Sequence, residues 1–171
     1  MYTSFFDVFS IGIGPSSSHT MGPMRAAARF ARELAERGLL EQVEHVRVWL
    51  YGSLALTGVG HGTPGAVVYG LLGLDAERME MSATSAIAEL ATTGKLLLNG
   101  AHPITFSAMR DIVLQKDVTL PEHANGMRFC AYGAGEVELA NEVYFSIGGG
   151  AIRRSDEMEQ LPEPPPPVAA W

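Results

Sequence analysis

Three stretches of the chain have the pattern of a helix. In the first and the third, apolar residues recur every three or four positions, which is the period of an amphipathic helix, and the second is a short, continuously apolar run. In the first stretch charged residues fill the opposite face, and Pro23 and Gly38 suit the start and the end of a helix. In the third stretch Leu97 would belong to the buried stripe, although Gly94 interrupts the pattern. These patterns predict three helices, at 24–38, 66–74 and 82–98.

Alternation of apolar and polar residues, the period of a β-strand, marks other stretches. The segment 46–51 alternates valine and leucine with arginine, tryptophan and tyrosine. A Gly-Ala-Gly turn at 133–135 separates two further strand-like segments, which predicts a β-hairpin. The apolar opening at 5–13 is expected to pack on the core, and 108–121 favours neither helix nor strand. The predicted strands are 46–51, 104–106, 128–132 and 137–145.

The order of these elements is helix, strand, helices and then three strands, which is typical of an α+β domain. We expect a mixed small β-sheet of about four strands covered by helices, in the order α-β-α-β-β-β. Between the first strand and the second helix, residues 52–65 are rich in glycine. This segment predicts a loop shaped around a ligand.

Composition limits the class of protein. The chain has 171 residues, of which 47% are hydrophobic, enough for one compact domain. It has no apolar run long enough for a membrane span and no N-terminal signal core, so we expect a cytoplasmic protein without membrane contact. A formal net charge of −7 argues against a nucleic-acid partner. The single cysteine, Cys130, excludes an internal disulfide and an all-cysteine metal or cluster site.

A proline-rich run follows the last predicted strand and extends from Pro162 to Pro167. Such a run is polyproline-like and typical of a spacer. We therefore expect one domain at 1–154 and a proline-rich linker at 155–171, with a second domain missing from this chain.

Hydroxyls and an imidazole lie just before the first predicted helix, after two glycines. Backbone N–H groups and the dipole at a helix N-terminus favour a carboxylate or phosphate, so the segment predicts an anion-binding turn. Serine and threonine before a helix more often cap it, and that alternative stays open. The residues concerned are Ser16, Ser17, Ser18, His19 and Thr20.

Two histidines, His19 and His61, are embedded among glycines and hydroxyls, where a ring can meet a small ligand with a tunable pKa. A structural role as hydrogen-bonded histidines is an equal alternative from the sequence. Neither has a cysteine, aspartate or glutamate at ligand spacing, so no zinc site is predicted. The segment around Ser17 also lacks the strand–nucleophile–helix pattern of a serine hydrolase.

Five blocks of sequence occur in a fixed order along the chain. They are Phe-Asp-Val-Phe at 6–9 with Gly-Ile-Gly-Pro-Ser-Ser-Ser-His-Thr at 12–20, Tyr-Gly-Ser-Leu-Ala-Leu-Thr-Gly at 51–58, Gly-His-Gly-Thr at 60–63, Asn-Gly-Met-Arg at 125–128 and Ser-Ile-Gly-Gly-Gly at 146–150. Together they resemble the beta domain of bacterial iron–sulfur-dependent L-serine dehydratase, also called L-serine ammonia-lyase. The resemblance covers residues 4–152.

The resemblance implies a lyase of amino-acid catabolism and gluconeogenesis that converts L-serine to pyruvate and ammonia. Serine would lose water to give aminoacrylate, which hydrolyses. A catalytic alpha domain of the same protein would supply cysteines for a [4Fe-4S] cluster, whose open iron acts on the substrate hydroxyl. This chain would then bind no cofactor itself, would be inactive alone, and would belong to a homodimer.

The resemblance also suggests roles for individual residues. A histidine near neutrality suits removal of the Cα proton, and His61 is the predicted base. His19, with the four hydroxyl residues around it, would bind the substrate carboxylate or assist proton movement. For Asn125 and Ser146 a role in turns is an equal alternative. Further polar contacts to substrate are expected from Ser53, Thr63, Asn125 and Ser146.

Two positions depart from the family pattern, and a second class of function stays open. A lysine is common where this chain has Val59, and an acidic residue where it has Pro64; both bear on the activation of His61. The beta domain also resembles the allosteric substrate-binding domain of some phosphoglycerate dehydrogenases. On that alternative, the chain would be a regulatory module that binds a small carboxylate such as serine.

Overall fold

The computed structural model describes residues 16–74 and 81–158. Its helices are α1 (Met21–Glu36), α2 (Gly52–Thr57), α3 (Thr63–Leu71), α4 (Met81–Thr93), α5 (Ala108–Asp111) and α6 (Ser155–Met158). Its strands are β1 (His45–Tyr51), β2 (Lys95–Leu98), β3 (His102–Thr105), β4 (Ile112–Gln115), β5 (Gly126–Tyr132), β6 (Glu138–Gly148) and β7 (Ala151–Arg154). The predicted apolar opening at 5–13 and the proline-rich run lie outside the described residues. Within those residues, no helix combines the length and apolarity needed to cross a bilayer.

Five strands form one mixed sheet in the order β4-β1-β5-β6-β7. β1 is parallel to β4, with Val48 opposite Ile112, and antiparallel to β5, with Val48 opposite Phe129. β5, β6 and β7 follow as antiparallel neighbours, while β2 and β3 form a separate antiparallel pair. β1 therefore lies inside the main sheet, and its carboxyl end leads directly into α2.

The predicted α+β class is confirmed, and so are its main elements. Helices α1 and α3, strand β1 and the β5–β6 hairpin lie where the sequence patterns predicted them. The main sheet has five strands where about four were expected, and β2 and β3 form a second, two-stranded sheet. β4 comes from the segment that favoured neither helix nor strand, and β7 follows a turn at Gly148–Gly150 in which every residue has positive φ.

The predicted helix at 82–98 ends earlier than expected. α4 ends at Thr93, and Gly94 follows with φ of +67°, a backbone conformation that terminates helices. The chain then continues as β2, in which Leu96 and Leu98 are buried and Leu97 is exposed. The prediction that Leu97 lies on the buried face of a helix is wrong, because these residues follow the two-residue period of a strand.

The predicted loop at 52–65 is partly helical. Gly52 has φ of +51°, so the chain turns sharply after β1, and a Cβ there would lie 2.5 Å from the Ala124 carbonyl oxygen. α2 begins at this turn, with Leu54 and Ala55 buried. The loop prediction is wrong for the α2 segment: Gly52 makes the turn that begins the helix, and residues 53–57, which contain no glycine, continue it with an apolar side buried. Turns do occupy the residues between α2 and α3.

α1 contacts both α3 and the main sheet. The rings of Phe30 in α1 and Phe129 in β5 have centroids 5.4 Å apart, and Phe129 meets Tyr144 of β6 edge-on at 5.7 Å. Gly70 lets α3 approach α1 closely, because a Cβ there would lie 2.2 Å from the Met24 carbonyl oxygen. These contacts fix α1, and with it the turn at its N-terminus, against the sheet.

Ion pairs hold α6 against α1. Arg29 donates to the two carboxylate oxygens of Glu157 at 3.0 and 2.6 Å, and to Glu33 at 2.8 Å. Glu157 also accepts the Arg154 backbone N–H at 2.9 Å. The hydrogen bonds from Arg29 and then from the Arg154 amide lower the pKa of Glu157 from 4.5 to about 2. The first residues of the predicted linker therefore pack on the domain, and the boundary at residue 154 stays a prediction.

Acid is expected to weaken the attachment of α6. Because the pKa of Glu157 is lowered in the folded chain, its carboxylate stabilises the fold above the ordinary pKa of 4.5, and this contribution is lost as pH falls toward about 2. Glu157→Gln should remove that part of the acid dependence, as measured by the free energy of unfolding in urea at about pH 7 and about pH 3. Glu36→Gln, which removes an exposed 3.6 Å ion pair with Arg32, is the control. An unchanged acid dependence in Glu157→Gln would contradict the prediction.

Candidate active site

The predicted site residues lie where the carboxyl end of β1 meets the N-terminus of α1. The turn at 16–20 precedes α1, and Ser53 lies in the first turn of α2. His61 belongs to the turn between α2 and α3. The rings of His19 and His61 have centroids 5.0 Å apart and are tilted by 52°. The structure therefore brings together the two histidines that the sequence singled out.

Two buried hydroxyls hold the backbone of the 16–20 turn. The Thr63 hydroxyl donates to the His19 carbonyl oxygen at 2.5 Å, and the Ser146 hydroxyl donates to the Ser18 carbonyl oxygen at 2.7 Å. Both side chains are fully buried. In this arrangement they support the turn, and direct contact with substrate stays a prediction for each.

Four hydroxyls surround the His19 ring. Its Nδ1 lies 2.9 Å from Ser18 Oγ and 3.2 Å from Ser16 Oγ. Its Nε2 lies 3.0 Å from Ser53 Oγ and 3.0 Å from Thr57 Oγ1. Both ring nitrogens are therefore hydrogen-bonded within the chain.

The surroundings of His19 favour the neutral imidazole. Partial burial lowers the pKa of His19 below its ordinary value of 6.5, and the neighbouring His61 ring lowers it further. A hydrogen bond with the Ser53 backbone has a smaller, opposite effect. His19 is therefore mostly uncharged at neutral pH and adds little positive charge beside His61.

The hydroxyls before α1 do not cap the helix. Thr20 is the N-cap residue, but its side chain makes no capping hydrogen bond, and its hydroxyl donates instead to the Ser16 carbonyl oxygen at 2.9 Å. The half-buried Ser17 hydroxyl makes no hydrogen bond to another residue in the described part of the chain. Pro23 has no N–H, and the N–H groups of Gly22 and Met24 donate to the Ser17 and Thr20 carbonyl oxygens at 2.9 and 3.0 Å. The Ser17 hydroxyl and the helix dipole are therefore the features of this turn that favour an anion, and anion binding itself stays a prediction.

Asn125 reaches the 16–20 turn through Ser146. Its Nδ2 donates to the Ser146 carbonyl oxygen at 3.3 Å, and the Ser146 N–H donates to the Asn125 carbonyl oxygen at 3.0 Å. The Oδ1 of Asn125 is buried and has no hydrogen-bond partner among the described residues. A buried oxygen without a donor is costly, so Asn125 stays a candidate for accepting a hydrogen bond from a ligand.

His61 is exposed, and no residue in the described ranges forms a hydrogen bond with its ring. Two exposed apolar side chains lie close to it in sequence, Leu56 with 63% and Val59 with 52% of its surface accessible. Pro64, the other departure from the family pattern, lies in the first turn of α3. His61 is therefore accessible at a surface that is partly apolar.

Thr57 is a residue of this cluster that the sequence did not reveal. It lies in α2 four residues after Ser53, so the two hydroxyls share one side of the helix and meet the same His19 nitrogen. A serine and a threonine at that spacing become a signal only when the segment is recognised as helical. The loop predicted there concealed it.

The described residues do not fit an iron–sulfur cluster. Among them, no three histidine, cysteine, aspartate or glutamate side chains are grouped so as to hold a metal ion. Cys130 is buried in β5, and burial raises the pKa of its thiol, which disfavours the thiolate that iron binds. A four-iron cluster needs several thiolate ligands, and this chain has one cysteine.

Comparison with known proteins gives consistent matches. A family model described as serine dehydratase beta chain matches residues 4–157. A protein named L-serine dehydratase from Streptomyces coelicolor is 49% identical over 157 residues, which cover 91% of this chain and 34% of the relative. An L-serine dehydratase from Mycobacterium bovis is 49% identical over 153 residues, covering 89% and 33%. L-serine dehydratase 2 from Escherichia coli is 43% identical over 164 residues, covering 95% and 36%.

The matches cover nearly all of this chain but only part of each relative. The chain spans about a third of the length of the curated relatives it matches. The family model, in contrast, covers nearly all of the chain, and the identities above are 43% to 49%. On these grounds the chain belongs to the serine dehydratase beta chain family.

Proposed function

We propose that this chain is the beta domain of an L-serine dehydratase, forms one wall of its active site and supplies the base. The observation that carries the proposal is the pair of histidines at an open surface. His19 has both ring nitrogens held by hydroxyls, whereas His61, 5.0 Å away, is exposed. Relatives named L-serine dehydratase support the reaction.

His61 takes the Cα proton of serine in this proposal. No described residue forms a hydrogen bond with its ring, so a ring nitrogen can accept a proton directly. Because His19 is mostly neutral, the imidazolium formed at His61 faces little charge repulsion. The electrons of the Cα–H bond form the Cα=Cβ bond, hydroxide leaves Cβ, and the resulting aminoacrylate hydrolyses to pyruvate and ammonia.

The turn at 16–20 binds the substrate carboxylate in this proposal. The N-terminus of α1 carries the positive end of the helix dipole, and the side chain of its N-cap residue, Thr20, makes no capping hydrogen bond. Ser17 adds a hydroxyl without another partner among the described residues. Together the helix dipole and this hydroxyl favour a carboxylate beside the two histidines.

The rest of the polypeptide covers this surface in the complete enzyme. The relatives are about three times as long as the match, so a further domain of substantial size accompanies it in them. Leu56 and Val59, which lie close to His61 in sequence, expose apolar surface on which such a domain can dock. The [4Fe-4S] cluster implied by the family belongs to that alpha domain in this proposal, since this chain has a single cysteine.

A chimera that joins this chain to the remaining part of the Streptomyces relative tests the proposal. It is expected to form pyruvate from L-serine after iron–sulfur reconstitution, whereas the chain alone should form none because one cysteine cannot hold the cluster. A folded, cluster-loaded chimera without activity would contradict the proposal. So would pyruvate formation by the chain alone.

The other expectations have weaker support. A regulatory carboxylate-binding module is not favoured, since the relatives reported above are named as dehydratases. A homodimer, a cytoplasmic location and a role in amino-acid catabolism and gluconeogenesis follow from the family resemblance and stay predictions.

A further inference from the structure

We propose that Thr57 is a positioning residue that fixes His19 in the tautomer with its proton on Nε2. The contact between the two side chains is the 3.0 Å approach of Thr57 Oγ1 to His19 Nε2. Neither the family resemblance nor the sequence pattern singled out Thr57. The inference concerns which atom holds the hydrogen in this contact.

The hydroxyl hydrogen of Thr57 is already committed. Thr57 Oγ1 donates to the Ser53 carbonyl oxygen, one turn earlier in α2, at 2.9 Å. A carbonyl oxygen can only accept, and a threonine hydroxyl has one hydrogen to give. Toward His19, therefore, Thr57 Oγ1 presents a lone pair.

A lone pair at 3.0 Å requires a hydrogen on the opposite atom. If Nε2 of His19 were unprotonated, two lone pairs would face each other at hydrogen-bond distance. With the proton on Nε2, the ring donates to Thr57 Oγ1 and to Ser53 Oγ, which also lies at 3.0 Å. The geometry thus selects the Nε2–H form of the neutral ring.

The opposite side of the ring completes the arrangement. In the Nε2–H tautomer the Nδ1 of His19 is an acceptor, and the Ser18 hydroxyl, 2.9 Å away, donates to it. His19 is then left with no vacant lone pair, while the Ser53 hydroxyl hydrogen stays available for a ligand. If the proposed function holds, this hydrogen-bond arrangement makes His61 the base and His19 a neutral neighbour of fixed orientation.

Nitrogen-15 spectra of the histidine rings in the full chain test the inference at about pH 8, above the ordinary histidine pKa of about 6.5. The wild-type His19 should show a protonated, pyrrole-type shift at Nε2 and an unprotonated, pyridine-type shift at Nδ1. In Thr57→Val the lone-pair constraint is lost, and Ser53 can donate to Nε2. The two His19 shifts should then move toward each other as the tautomers mix.

Two further variants separate the hydrogen bond from general disturbance. Thr57→Ser keeps the hydroxyl and should retain the wild-type shifts. Thr92→Val is the matched control, because Thr92 is an exposed helical threonine whose hydroxyl donates one turn back, to Ala88, at 2.7 Å. It should leave the His19 shifts unchanged. Thr57 is itself exposed, so its replacement by valine should not prevent folding.

Two results would overturn the inference. One is a wild-type His19 with its proton on Nδ1. The other is a Thr57→Val spectrum with unchanged His19 shifts. Neither result depends on substrate or cofactor, so either one would overturn the tautomer assignment without contradicting the proposed function. Conversely, an inactive chimera would contradict the proposed function without contradicting the tautomer assignment.

Discussion

Replacing His61 by alanine should lower kcat of the chimera by about 10²- to 10⁴-fold, the usual cost of losing a general base. The reason is that His61 is exposed, whereas the nitrogens of His19 are occupied by hydroxyls. Steady-state kinetics with L-serine measure the loss, and cluster content and unfolding midpoint should stay at the values of the parent chimera.

Two other histidine variants make this prediction specific. His19→Ala should raise KM at least as much as it lowers kcat, if His19 chiefly organises the carboxylate-binding turn. His45→Ala is the matched control, because His45 lies at the start of β1, stacked on Tyr132 with ring centroids 4.8 Å apart, and should leave both constants unchanged. A His61→Ala chimera with near-normal kcat would make His19 the leading candidate for the base.

Replacing Gly22 by alanine should destabilise the chain by about 1–3 kcal/mol, the usual cost of overpacking a filled interior. The added Cβ would lie 2.0 Å from Oγ and 2.7 Å from Cβ of Ser146. Either α1 or β6 must move, and the 2.7 Å hydrogen bond from Ser146 to the Ser18 carbonyl oxygen is then lost. Urea denaturation of the full chain gives the free energy of unfolding.

A double variant tests whether the clash with Ser146 causes the loss of stability in Gly22→Ala. Ser146→Gly removes both clashing atoms, so Gly22→Ala should cost much less in that background than in the wild type. Gly60→Ala is the control, because its added Cβ would come no closer than 3.6 Å, to the Thr57 carbonyl oxygen. Equal costs of Gly22→Ala in the two backgrounds would show that the close contact does not determine the effect.

Local periodicity carried much of the fold prediction. α1 and the β5–β6 hairpin were predictable because each buries one face with a regular repeat, and their packing partners did not need to be known. β2 was not predictable, because Lys95–Leu98 continues the apolar run of α4. Only Gly94 separates the helical period of α4 from the two-residue period of the strand. β4 was not predictable either, because the strand it pairs with, β1, lies far away in sequence.

The sequence predicted which segments form the candidate site, but it did not predict the hydrogen bonds between them. Glycines and hydroxyls around His19 and His61 marked the right segments. The hydrogen bonds that orient His19 join the 16–20 turn to Ser53 and Thr57 of α2, and those contacts depend on how α1 and α2 pack on the sheet. The support from Ser146 comes from β6, at the other end of the chain, so no local pattern could reveal it.

The central claim, that His61 removes the Cα proton, is tested most directly by the isotope effect on kcat with Cα-deuterated L-serine. In the His61→Ala chimera, proton removal becomes slower and therefore more rate-limiting, so the account predicts a larger isotope effect than in the parent chimera. An isotope effect equal to that of the parent, together with near-normal kcat, would contradict it.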